Sequence, residues 1–113
     1  MATIEKPGSD DVLRLCAEFR RHLEVFYARL KLAPPYHSVE KAVARLSATL
    51  NGLPPTERAR LAADPALKWS RFRDAFVESG LHQKHRGIIA GLARSGRADL
   101  PADYRSLLEA FLS

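Results

Sequence analysis

DDVLRLCAEFRRHLEVFYARLKL, residues 10–32, decides the fold. Val12, Cys16, Phe19, Leu23, Phe26 and Leu30 follow one another at spacings of 4, 3, 4, 3 and 4. At roughly 100° per residue they fall within an arc of about 80° on a helix. Leu15 and Tyr27 flank this seam, and Arg14, Arg21, Glu18 and Ala28 lie across from it. A helix of about 21 residues spans about 31 Å, the width of a small domain. A seam that long needs a partner, either another helix of the chain or a second copy of itself.

The rest of the chain repeats the pattern in shorter pieces. Pro34-Pro35 stops the first helix, because proline lacks an N–H and restricts the residue before it. Ser38 is the next cap candidate, and Val39, Val43, Leu46 and Leu50 make one face up to Asn51-Gly52, where glycine is free to turn left-handed. Pro54-Pro55-Thr56-Glu57 opens a short third helix with Leu61 as its apolar contact. Asp64-Pro65 both ends that helix and caps a fourth, which runs to about Glu78 and carries Trp69, Phe72 and Phe76 on one face. After Ser79-Gly80 a fifth helix is expected over 81–94, with Leu81, His85, Ile88, Ile89 and Leu92 toward the core and Gly87, Ala90 and Gly91 on the other side. Each internal glycine costs about 1 kcal/mol relative to alanine. Close approach of another backbone is one way to offset that. A helix that is weak or broken near Gly87 is the other. Pro101 starts a last helix, with Tyr104, Leu107, Leu108 and Phe111 together. The expected architecture is all-α: a small bundle of five to six helices with a long N-terminal one. Residues 1–9 read as a frayed leader and 10–113 as a single helical domain.

Composition narrows the function classes. A 46% apolar content is that of a folded protein. No apolar run reaches the length of a membrane span, and MATIEKPGSDD lacks the basic flank and apolar core of a secretory signal. The lone Cys16 sits on the apolar seam, so a cytoplasmic protein is the simple expectation. No Ser, Cys, His and acid pattern marks a catalytic motif, and no glycine-rich phosphate loop occurs. His82 and His85 have ligand spacing without a third ligand nearby, so neither a metal nor a cofactor is expected. The net charge of +5 is concentrated: between Arg58 and Arg97 nine cations face three acids. A basic middle of this kind meets acidic protein surfaces or nucleic acid.

Two partner classes follow. A helix-turn-helix DNA-binding regulator would use the basic segment 58–97, with Gly80 in the turn and His82, Gln83, Lys84 and Arg86 as groove readers. Against it, Phe76 stands where that turn favours a small residue, and Gly87 weakens the recognition helix. The other class is protein. Trp69, Arg73 and Phe76 combine the residue types that carry binding energy at protein interfaces. Phe19, Leu23, Phe26 and Leu30 are the candidates for a homodimer seam.

ALKWSRFRDAF, residues 66–76, and GLHQKHRGIIAGLARSG, residues 80–96, together with the length and helical pattern, resemble the small quorum-sensing antiactivators of LuxR-type regulators. The resemblance covers the whole chain without a short diagnostic motif, so no functional residue is carried over on it. It implies a non-enzymatic homodimer that binds the ligand-binding domain of a LuxR-type transcriptional activator, blocks its dimerisation and prevents its binding to DNA.

Overall fold

The seam of the first helix is closed inside the subunit. In the computed structural model, which describes residues 9–112, α1 spans Ser9–Arg29. Val12, Leu15, Phe19, Leu23, Phe26, Tyr27 and Leu30 are all buried. Residues 1–8 of the expected leader and the side chains of Ser9 and Asp10, expected to cap α1, lie outside the described part, while the backbone of Ser9 already belongs to α1. α1 ends earlier than the two prolines require. Lys31 adopts a left-handed conformation, φ 60°, and its N–H donates to the Ala28 carbonyl while that of Leu32 donates to Tyr27. These two bonds satisfy the orphan carbonyls of the last turn.

α2, Tyr36–Asn51, returns antiparallel along α1. The Arg20 guanidinium grips the Glu40 carboxylate with two bonds of 2.8 and 2.9 Å near the start of α2, while Cys16 meets Ser47 near its end. The helix begins directly after Pro35 rather than at Ser38, so no side chain caps it. Gly52 stays right-handed at φ −80°, and its freedom to turn left is not used.

α3, Pro55–Ala63, and α4, Pro65–Glu78, are separated by Asp64 alone. Its Oδ1 accepts from the N–H of Ala66 at 3.0 Å and of Leu67 at 3.5 Å, the expected cap. α4 is the central strut. Phe72 stacks on Phe19 with ring centroids 5.0 Å apart, and Phe76 packs against Phe26 and Phe111.

The fifth helix is broken. Gly80 turns left-handed at φ 80°, Leu81–Gln83 make one 3-10 turn, and His85 takes φ 57° before α5, Arg86–Arg94. The break resets the helical phase. Leu81 and Ile89 are buried as expected, but Ala90 turns inward and Ile88 turns out, 55% exposed. A single continuous helix would have kept Ile88 in line with Leu81 two turns earlier. A second 3-10 turn, Ala102–Tyr104, leads into α6, Arg105–Ala110, which packs on α4 and holds α5. No strand occurs among the described residues, and no helix among them is long and apolar enough to cross a membrane.

Candidate functional site

Phe19, Leu23 and Phe26 have no exposed surface and Leu30 only 6%. The expected homodimer seam is therefore corrected: these four side chains spend their apolar area on the rest of the subunit, and they have almost none to offer a second copy. The residues expected to meet a partner are divided in the same way. Phe76 is fully buried. Trp69 is half-buried, its ring set against those of His22, Phe72 and Tyr104 at 4.8, 5.4 and 5.5 Å. Arg73 is the one of the three that reaches a surface cleft.

Under Trp69 lies a polar cluster that hydrophobic periodicity alone does not find. His22 Nδ1 is 3.0 Å from the Tyr104 hydroxyl and Nε2 is 3.3 Å from Glu18 Oε2, which also pairs with Lys68 Nζ at 2.9 Å. A carboxylate only accepts, so Nε2–H donates to Glu18 and Nδ1 accepts from the Tyr104 hydroxyl. The order of groups is that of an acid–base–nucleophile relay. The would-be nucleophile, however, is a phenol 6% exposed, with its pKa pushed up by burial. What the cluster does is tie α1, α4 and the turn before α6 together. The one sequence signal for it is the four-residue spacing of Glu18 and His22.

This cluster makes stability depend on pH. Burial pushes the His22 pKa below its usual 6.5, with Glu18 partly opposing. Burial pushes the Glu18 carboxyl up, but hydrogen bonds and charge from Lys68 and His22 outweigh it and leave the pKa below 4.5. As pH falls below 6.5 the unfolded chain therefore takes up the His22 proton before the folded one does, and stability drops. It drops again below about 4.5 as Glu18 is protonated. The melting temperature is expected to fall between pH 7 and pH 5, and His22→Gln is expected to flatten that slope. An unchanged slope in the variant would contradict the assignment.

The surface beyond Trp69 is built by α4 and the broken fifth helix. Arg73, Asp74, Val77 and Glu78 of α4, His82 of the 3-10 turn, Arg86 of α5 and Ala110 of α6 line an open cleft of about 360 Å³. Glu78 is drawn off to Arg45, 3.1 Å away, so Asp74 is the carboxylate that remains inside. His82 Nδ1 is buried without a hydrogen-bond partner. On the side of α5 turned from the core, Gly87, Ile88, Gly91 and Arg94 are all exposed. A Cβ added at either glycine would meet nothing within 4 Å. No close backbone approach offsets their cost within the described subunit.

The break in the fifth helix also bears on DNA. His82 and Gln83 sit in the 3-10 turn and Lys84 just after it, so Arg86 alone of the four expected groove readers lies on α5. α5 packs mainly on α6 and barely on α4, whereas a recognition helix is braced by the helix before it. Among the described residues no group of three or more His, Cys, Asp or Glu is placed to hold a metal ion. In comparisons with protein-family models, curated proteins and solved structures, the chain matches none.

Proposed function

We propose that this protein is a non-enzymatic antiactivator. It binds the ligand-binding domain of a LuxR-type quorum-sensing transcriptional activator, blocks that domain's dimerisation and so keeps the activator off DNA. The whole-chain resemblance supplies the partner class. The observation that carries a protein-binding role is Ile88: a large apolar side chain, 55% exposed, on a helix anchored mainly by one neighbour and placed beside the Arg73–Arg86 cleft. An amphipathic helix face laid into a groove is a recurrent way for small helical proteins to engage partners. Homodimerisation belongs to the same proposal, through surfaces other than the α1 seam.

Capture is tested by mixing the purified chain with the isolated ligand-binding domain and following mass by light scattering. A stable heterocomplex, with loss of the domain's own dimer, is expected. An activator domain that remains dimeric at a several-fold excess of this chain would overturn the proposal.

A further inference from the structure

We propose that two copies of this chain pair antiparallel along the outer face of α1, about a two-fold axis at the level of His22 and Leu23. The proposal rests on the homodimer half of the reading above and names its surface, but it is argued from the face alone. The buried seam takes no part in it. Leu13, Ala17, Arg21, Glu24 and Ala28 follow one another at spacings of 4, 4, 3 and 4, and all five are exposed. At roughly 100° per residue they share an arc of about 80°.

The charges on this face complement themselves. Arg21 and Glu24 form no ion pair among the described residues, whereas their neighbour Arg20 is held by Glu40. The two lie equally far from the axis along α1. Antiparallel pairing therefore sets Arg21 of each copy against Glu24 of the other, twice. A parallel pair would set arginine against arginine and glutamate against glutamate, and like charges across an interface disfavour association. Ala17 and Ala28 are centred on the same point, so each methyl meets the other and the two backbones can approach closely. At the rim Arg14 comes toward Lys31 of the second copy, and Asp11, already paired with Arg14, answers that charge.

The ends of the face match as well. Leu13 is 68% exposed and Tyr36 62%, the highest values for large apolar side chains among the described residues. Tyr36 shares a stripe of α2 with Glu40 and Ser47, which meet Arg20 and Cys16 of α1. Leu13 and Tyr36 thus stand along the line where α1 and α2 meet, at its opposite ends. The two-fold axis brings Leu13 of each copy to the Tyr36 end of the other, and one operation covers both side chains of both copies. A head-to-tail arrangement would leave one of each bare.

Sedimentation of the full chain across the micromolar range tests the pairing, and a reversible dimer is expected. Arg21→Glu and Glu24→Arg are each expected to weaken it about tenfold or more, because each sets like charges together at both contacts. The double variant, which exchanges the two charges, is expected to regain wild-type strength. Leu13→Asp is expected to weaken the dimer as much while its circular dichroism stays that of the folded chain. In a Cys16→Ser background, Ala17→Cys mixed with Ala28→Cys is expected to give a disulfide-linked pair on air oxidation, and each variant alone far less.

A dimer that keeps its strength in all three single variants, or a double variant weaker than either reversal, overturns the α1 face and leaves homodimerisation standing. A wild type that stays monomeric throughout overturns both, and capture of the activator domain is then judged separately by the mixing experiment. A monomeric wild type whose capture Leu13→Asp abolishes gives this face to the activator domain and likewise overturns the pairing.

Discussion

Phe26→Ala is expected to remove a large part of the chain's stability. The ring has no exposed surface and packs against Tyr27, Phe76, Tyr104 and Phe111, with centroids between 5.3 and 6.2 Å. Those partners come from α1 itself, α4 and both segments at the C-terminal end, so one cavity would loosen contacts among three parts of the fold. Truncating a buried phenylalanine costs about 3–5 kcal/mol, because the lost transfer energy is joined by the void left behind. Small domains have about 5–15 kcal/mol in total. Urea denaturation reads the effect directly. A loss under about 1 kcal/mol, with a change in sedimentation, would mean that the seam faces another molecule.

Trp69 and Arg73 lie four residues apart on α4 and are expected to fail in different ways. Trp69→Ala removes the lid over His22, Phe72 and Tyr104. Since the indole is half-buried, a loss of about 2–3 kcal/mol is expected, below that of a fully buried aromatic. Arg73→Glu alters a cleft wall that water already reaches, and its effect on stability is expected to stay within about 0.5 kcal/mol. Partner capture is expected to reverse the ranking, falling tenfold or more for Arg73→Glu and only through lost folded protein for Trp69→Ala. Thermal melts set beside capture at a temperature where both variants are folded separate the two. Full capture by Arg73→Glu would place the partner elsewhere.

Where the sequence pattern succeeded, a local rule and the tertiary packing agreed. The 4-3-4-3-4 spacing in α1 and the Asp64-Pro65 junction are both found as read. The seam's direction was legible, but not what it packs against, because periodicity marks a buried face without naming its cover. The broken helix was harder. Leu81, His85, Ile88 and Leu92 form an uninterrupted helical stripe on paper, but the 3-10 turn, the extended Lys84 and the left-handed His85 together throw Ile88 to the outside. Gly87 was the one hint of weakness. The Glu18–His22–Tyr104 cluster was out of reach for a different reason. His22 sits at the edge of the seam, and its second partner is 82 positions further along the chain. The expected contact trio failed as a trio because residues on one helical stripe share a direction but not a depth. Phe76 reaches the centre of the core, Trp69 its margin and Arg73 a surface cleft.

Amide hydrogen exchange, measured on the chain alone and with the LuxR-type ligand-binding domain in excess, tests most directly whether the molecule works through the broken fifth helix. Protection is expected to rise across residues 84–97, with the α1 core amides already slow and little changed. Added protection confined to other helices, with 84–97 exchanging as fast as in the free chain, would contradict it.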